Sequence, residues 1–147
     1  MNLEVRKEVE DLVVRAFVAT DERDWETLHG CMTDPVILDM TSLVGGEPST
    51  VSPEIVSSIW SEGFATLDHI HHQVSNFRTM VDGDRAEVKC YGIAFHYRGG
   101  IADPVKWRRF VGTYEFDMLR GESGWAISRM MFVCKFIEGN LQLENAT

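Results

Sequence analysis

Two histidines occupy positions from which they could exchange protons with a bound molecule. His72 and His96 lie in segments where polar and apolar residues alternate, as side chains do across a β-strand. On this pattern His72 shares a face with Ile70 and Val74, while His96 ends a row of small or apolar residues that begins at Ala86. Imidazole titrates close to neutral pH and acts readily as a general acid or base. Two inward-facing histidines on neighbouring strands therefore indicate a pocket suited to acid–base chemistry.

Two further polar residues fall on the same inward faces. Asn76 continues the row of His72, and Tyr114 shares its face with Phe110 in a later strand. An apolar cavity with a few converging polar groups is the usual composition of a ligand pocket. A structural alternative stays open for each residue. A histidine on an apolar face can be a core residue hydrogen-bonded to the backbone, and Tyr114 can serve core packing alone.

Other kinds of site chemistry lack the residues they need. His69 and His71 share a strand face, but His72 points the other way and no carboxylate and further histidine follow at a metal-binding spacing. The sequence contains no Gly-x-Ser-x-Gly motif, no cysteine beside a histidine and no phosphate-binding lysine after Gly45-Gly46. We therefore expect neither a bound metal nor a cofactor.

The first half of the chain predicts three helices. Apolar residues recur at three- and four-residue steps from about residue 3 to 20, which is typical of an amphipathic helix. A second, short helix is predicted near 22–32, and Ser52 followed by Pro53 is a typical start for a third. Between the helices we expect a brief strand at 36–39 and a loop at 45–53.

The second half predicts an antiparallel sheet. Glycine-containing turns separate four long alternating segments, at 69–82, 85–98, 105–119 and 125–138. Helices followed by a meander of strands are typical of an α+β fold with the helices packed on one face of the sheet. Because strands of this length must twist strongly, we expect a curved, mostly antiparallel sheet shaped as a cone around the three N-terminal helices.

Length and charge restrict the class of protein. A chain of 147 residues, 44% hydrophobic and 25% charged, is the size and composition of one globular domain, which we place at 1–147. The net charge of −9 argues against nucleic acid or an anionic membrane surface as a partner, because both require clustered cations.

Cysteine usage and the N-terminus bear on location. The three cysteines are widely spaced and odd in number, which favours buried thiols in a reducing compartment. The charged N-terminal segment does not resemble a signal peptide, and no apolar run reaches the ~20 residues of a membrane span. We expect a cytoplasmic protein.

Three short motifs, taken in order, resemble the SnoaL-like and scytalone dehydratase-like branch of the nuclear transport factor 2-like superfamily. The segment 20–25, Thr-Asp-Glu-Arg-Asp-Trp, resembles the family's motif at the end of the first helix. The segment 72–76, His-Gln-Val-Ser-Asn, resembles the family's histidine segment at the start of the first long strand. The segment 95–98, Phe-His-Tyr-Arg, resembles the family's histidine at the end of the second long strand. The resemblance covers about residues 5–137 and implies a cystatin-like α+β barrel.

The resemblance also implies a catalytic set. In that family the aspartate matching Asp21 bonds the histidine matching His96, which moves protons during elimination of water, and the histidine matching His72 assists across the pocket. The alternative for Asp21 is a surface or capping role at the end of its helix. The two tyrosines that polarise the substrate in scytalone dehydratase correspond to Thr20 and Met40 here, and Tyr114 or Asn76 could substitute for them as the donor to the oxyanion.

We therefore predict a cofactor-independent dehydratase (a lyase) or isomerase for a hydrophobic cyclic or polyketide-like small molecule. Asp21, His72 and His96 are the predicted catalytic residues. The predicted substrate-binding residues are Thr20, Met40, Trp60, Asn76, Phe110 and Tyr114. The alternative function is a non-catalytic ligand-binding or assembly module on the same fold. Large apolar residues on the outward strand faces predict a homodimer or homotrimer. They are Tyr91, Ile93, Phe95, Trp107, Val111 and Val133.

Overall fold

The structure is a computed structural model that describes residues 2–147, and it consists of helices followed by long strands. The helices are α1 (Leu3–Asp21), α2 (Trp25–Gly30), α3 (Thr41–Val44) and α4 (Pro53–Gly63). The strands are β1 (Met32–Asp39), β2 (Ser49–Val51), β3 (His69–Asp82), β4 (Arg85–Tyr97), β5 (Trp107–Gly121) and β6 (Gly124–Gly139). A single 3-10 turn, Leu143–Asn145, follows β6.

The predicted α+β class and strand succession are confirmed. The four long strands begin and end within two residues of their predicted bounds, and Ser52 Oγ caps α4 by accepting a hydrogen bond from the backbone N–H of Ile55. The single-turn helix α3 and the short strand β2 were not predicted. The strand β2 lies within the segment 45–53, which the sequence indicated as a loop, and α3 lies just before it, where the sequence indicated no element.

The six strands form one curved sheet that does not close on itself. Their order is β2-β1-β6-β5-β4-β3, with β1 parallel to β6 and every other pair antiparallel. Register shifts interrupt the β3–β4 pairing and, at two places, the β5–β6 pairing. Such bulges bend a strand and increase its twist, so they account for the curvature that long strands need in order to wrap around a helix.

Helix α1 fills part of the concave face of this sheet. Its apolar stripe shares one hydrophobic core with the predicted inner row of β4, and all six residues of that row, from Ala86 to His96, are buried. Val9 and Val13 are completely inaccessible to solvent. A side chain buried to this extent stabilises the fold by ~1.5–3 kcal/mol relative to an exposed one. The helix stripe therefore fills the concave side of the sheet and excludes solvent from it.

A bulge in β3 reverses which side chains face the interior. Asn76 has a left-handed backbone (φ 58°), and the pairing with β4 shifts between Ser75 and Arg78. Before the bulge the even-numbered residues face inward, whereas after it the odd-numbered Phe77 and Thr79 do. Asn76 is consequently exposed, and its predicted place in the row of His72 is wrong, because simple alternation does not continue through a bulge.

Glycine is required where Tyr114 crosses β4. A Cβ atom built on Gly92 would lie 2.2 Å from the Tyr114 ring, far inside van der Waals contact. The ring therefore lies directly over the Gly92 backbone, which brings the tyrosine into the interior of the sheet.

No helix within residues 2–147 has both the length and the apolar character to cross a bilayer.

The convex face of the sheet carries large apolar side chains. Tyr91, Trp107 and Val133, here called the outer patch, are each more than 40% exposed. Three of their predicted neighbours, Ile93, Phe95 and Val111, are half-buried. Contiguous apolar surface of this kind is typical of an association surface.

We expect the protein to self-associate through the outer patch. Light scattering at micromolar concentration should give the mass of a dimer or trimer, and Val133→Lys should shift the mass towards that of the monomer because it inserts an unpaired charge into the contact. Leu3→Lys, which adds the same charge at an exposed position on α1, is the control. A monomeric native protein would contradict this expectation.

Candidate active site

A cavity of about 360 Å³ lies where α1 no longer covers the concave face of the sheet. Its walls come from that face, from α4, and from the segment that contains α3 and β2. Most of its surface is apolar. The predicted site residues that line it are Met40, Trp60, His72, His96, Phe110 and Tyr114.

Two predicted substrate-binding residues lie outside the main cavity. Thr20 is buried, but its hydroxyl donates a hydrogen bond to the backbone carbonyl of Ala16 one turn earlier in α1 (2.8 Å). That bond uses the only proton the hydroxyl has to donate. Asn76 is displaced to the exterior by the bulge in β3. Neither residue contacts the space in which a ligand would lie.

Asp21 holds His72 by two hydrogen bonds. It is the last residue of α1, and its Oδ1 lies 2.5 Å from His72 Nδ1 while its Oδ2 accepts the backbone N–H of His72 at 2.9 Å. Phe17, one helical turn before Asp21, stacks on the His72 ring with centroids 4.8 Å apart. Ring position and ring rotation are therefore both fixed from α1.

The Asp21 contact determines the proton arrangement of His72. A carboxylate only accepts hydrogen bonds, so His72 Nδ1 carries the hydrogen and Nε2 of the neutral ring presents a lone pair. Within residues 2–147, Nε2 has no hydrogen-bond partner, and it is not sealed within the protein. A lone pair open to the cavity beside a carboxylate can accept a proton from a bound molecule.

The prediction of a hydrogen bond between Asp21 and His96 is wrong, because the two side chains have different partners within residues 2–147. The Asp21 carboxylate is occupied by His72 on β3, whereas His96 lies one strand further on, in β4. His96 Nδ1 instead accepts a hydrogen bond from Arg108 Nε at 3.1 Å. Asp21 lies beside the edge strand of the sheet, and the imidazole within its reach is that of His72.

His96 is enclosed by aromatic rings and a buried cation. Phe64 and Phe110 each lie with their ring centroids 5.3 Å from that of His96. Arg108, directly opposite His96 in the β4–β5 pairing, is itself buried and bonds through Nη1 to the Glu144 carboxylate. Burial, together with the Arg108 charge and the nearby His72, lowers the pKa of His96 from 6.5 to about 3. His96 is therefore neutral at physiological pH.

Tyr114 is the third polar residue, after His72 and His96, that the long strands contribute to the cavity lining. Its ring packs edge-on against Phe17 with centroids 4.7 Å apart. Burial raises the pKa of its phenol well above the ordinary value, so the group stays protonated and can donate a hydrogen bond. Within the described residues its hydroxyl has no hydrogen-bond partner.

The sequence did not reveal several residues that shape this site. The sequence predicts Phe17 only as part of the apolar stripe of the first helix, although its position one turn before Asp21 places both on one helix face. Arg108 could have been found from the strand pairing, but the long connection after His96 left that register undetermined. Glu144 lies in a 3-10 turn with no periodic signal. The histidines considered and rejected as metal ligands, His69 and His71, are exposed.

Solved structures with this fold come from several bacteria. The Kfla4162 protein of Kribbella flavida has a TM-score of 0.90 and 24% identity, with 96% of this chain and 97% of that one covered. A candidate scytalone dehydratase from Novosphingobium aromaticivorans has a TM-score of 0.80 and 15% identity (95% and 89% covered). The hexachlorocyclohexane dehydrochlorinase LinA-type3 of Novosphingobium barchaimii has a TM-score of 0.77 and 15% identity (95% and 92% covered). No curated protein matches the sequence.

These structures share one fold with this chain, and a candidate dehydratase of the NTF2-like family from Streptomyces avermitilis has that fold too. The family model of the SnoaL-like domain matches residues 1–131, and the chain belongs to that family. The resemblance inferred from the three short motifs is thereby confirmed.

We expect His96 to make the protein sensitive to acid. In the unfolded chain its pKa is near 6.5, whereas the folded ring stays neutral down to about pH 3. Between these values the unfolded state binds more protons, so the free energy of unfolding falls as the pH falls, by at most ~1.4 kcal/mol per pH unit from this group.

Urea denaturation across this pH range tests the expectation. The His96→Gln variant should lose less stability than the native protein as the pH falls. The His71→Gln variant, which removes an exposed histidine, should follow the native curve. Parallel curves for native protein and His96→Gln would contradict a neutral, buried His96.

Proposed function

We propose that this protein is a cofactor-independent enzyme that removes a proton from a hydrophobic small molecule and so catalyses an elimination or an isomerisation. The observation that carries the proposal is the pair of hydrogen bonds between Asp21 and His72, which leaves one imidazole lone pair open to an apolar cavity. An aspartate beside a histidine stabilises the imidazolium that forms when the ring accepts a proton.

The proposed step balances without a co-reactant. His72 Nε2 takes a proton from a carbon of the substrate, and the electron pair of that C–H bond forms a new double bond. In an elimination the leaving group departs with its bonding electrons from the adjacent carbon. In an isomerisation the electrons move through a conjugated system and a proton returns at another carbon. Asp21 remains a carboxylate throughout and balances the imidazolium charge.

The cavity limits the kind of substrate. Its volume of about 360 Å³ is near the lower end of the ~300–1,000 Å³ typical of ligand sites. Apolar side chains dominate its lining, and several of them are aromatic, among them Phe17, Phe110 and Phe132. A compact, largely apolar ring system with one or two polar substituents fits this composition, so we propose a cyclic or polyketide-like substrate.

The structural neighbours support an elimination. One is described as a candidate scytalone dehydratase and another as a hexachlorocyclohexane dehydrochlorinase. Dehydration and dehydrochlorination are both eliminations, in which a proton and a leaving group depart from neighbouring atoms. The fold of this chain can accommodate that reaction class, and the dyad of Asp21 and His72 provides the base it requires.

We expect substitution of the dyad to remove proton abstraction without unfolding the protein. A panel of cyclic ketones and β-hydroxy ketones is incubated in D₂O, and deuterium uptake at carbon is followed by mass spectrometry. His72→Gln and Asp21→Asn should lower the exchange rate by ~10²–10⁴-fold, which is the usual contribution of a positioned base.

The matched control is His71→Gln, which makes the same change on the adjacent residue of β3, where the side chain is exposed. It should exchange deuterium at the native rate. Binding of panel compounds with no exchange in the native protein would instead identify a ligand-binding module and overturn the enzymatic proposal.

A further inference from the structure

Arg108 is a buried cation whose position is determined by groups on several sides. It is 7% exposed, and its guanidinium contacts His96 through Nε and the Glu144 carboxylate through Nη1. Its central carbon lies 5.3 Å from the centroid of the Phe110 ring. A buried guanidinium destabilises a fold unless it is paired and hydrogen-bonded, so a structure retains one where its contacts are satisfied.

The partner of Arg108 is itself firmly anchored. Arg98 Nη1 donates hydrogen bonds to the backbone carbonyls of Leu143 and Glu144, each at 3.1 Å, and Thr66 Oγ1 donates to the Glu144 carbonyl at 2.9 Å. The side chain of Leu143 is fully buried in a small apolar cluster with Ile70 and its neighbours. These contacts fix the turn that contains Glu144, and the Glu144 carboxylate holds Arg108 against His96.

Arg108 imposes one proton arrangement on His96. A guanidinium has donors and no acceptor, so the Nδ1 atom that it contacts must carry a lone pair. The neutral ring then has its hydrogen on Nε2, which has no partner within residues 2–147 and is not sealed within the protein. The positive charge of Arg108 also opposes protonation of the ring, consistent with its lowered pKa.

The two cavity histidines therefore carry their protons in opposite ways. His72 has Nδ1–H and a free Nε2 lone pair, whereas His96 has a free Nε2–H. His72 pairs with Ala94 across the β3–β4 ladder, so His96 is its diagonal neighbour. The Cα atoms of such neighbours lie roughly 7–8 Å apart. One small molecule can contact both rings at that spacing.

We propose that Arg108, held by Glu144, is a positioning residue that fixes His96 as a neutral hydrogen-bond donor to an oxygen atom of the substrate. This deepens the function proposed above and rests on it for the identity of the base. While His72 withdraws a proton from carbon, negative charge develops on a carbonyl or hydroxyl oxygen, and His96 Nε2–H stabilises it. The substrate class narrows to ring compounds with an oxygen acceptor near the acidic C–H bond.

Nitrogen-15 NMR of histidine-labelled protein at neutral pH tests the assignment without any substrate. The native spectrum should show His96 protonated on Nε2 alone and His72 protonated on Nδ1. Arg108→Met removes the donor to Nδ1 and should convert His96 to a mixture of its two neutral tautomers, while His72 keeps its native signals. A native His96 that carries its hydrogen on Nδ1, or is charged, would overturn the proposal.

The native spectrum decides this point even if Arg108→Met does not fold. Glu144→Gln, which keeps the size of the side chain and weakens the hold on Arg108, is the second variant and should broaden or shift the His96 signals. An unchanged His96 tautomer in a folded Arg108→Met protein would show that Arg108 is structural only. These signals are separate from deuterium exchange at carbon, so failure here and failure of the His72 base are distinguishable.

A pair of probes tests the acceptor atom. 1-Tetralone is a bicyclic ketone, and tetralin is the same ring system without oxygen. The ketone should shift the His96 Nε2–H resonance by hydrogen bonding, and tetralin should leave it in place. Equal shifts from both probes, or none from either, would overturn the role of His96 as donor to the ligand.

Turnover of an exchanging ketone gives a further readout. His96→Ala should lower kcat by ~10²–10³-fold, the usual effect of losing one donor to a developing oxyanion. His96→Gln, which restores an N–H donor, should recover part of that loss. His96→Ala with native turnover and a lowered melting temperature would show a structural residue and contradict the proposal.

Discussion

The cavity depends on how far α1 reaches across the concave face of the sheet. The buried residues of α1, from Val9 to Thr20, pack into the curve of the sheet and exclude solvent from it. The helix ends at Asp21, whereas the strands continue. The unfilled remainder of the curve is the ligand space. The C-terminal end of α1 therefore limits the packed core and also supplies the Asp21 carboxylate of the site.

The site also shows how a single side-chain type acquires two functions. His72 and His96 are both imidazoles on the inner face of adjacent strands, yet one meets a carboxylate and the other a guanidinium. An anion draws a proton to the nitrogen it contacts, and a cation repels it. The partner on Nδ1 therefore decides whether Nε2 accepts or donates.

Much of the fold could be predicted from local patterns, and the site only in part. Alternation and turn residues located the long strands because both are properties of neighbouring residues. The same alternation failed at Asn76, where a left-handed residue adds a bulge that a two-residue period does not indicate. The resemblance placed Asp21 and His72 in one site but paired Asp21 with His96. Which imidazole the carboxylate reaches depends on how α1 lies across the strands. That orientation belongs to the tertiary structure, and local sequence patterns do not indicate it.

Glu144 has a consequence for the order in which the site can form during synthesis. The carboxylate that holds Arg108 follows the last strand of the sheet, more than 120 residues after Asp21. Asp21, His72 and the whole hairpin of β3 and β4 precede residue 98, so a ribosome releases them before Arg108 and Glu144. The Arg108 guanidinium has its carboxylate partner only after residue 144 has left the exit tunnel and folded back. The residues of the base therefore emerge first, and the group that fixes the hydrogen-bond donor emerges last.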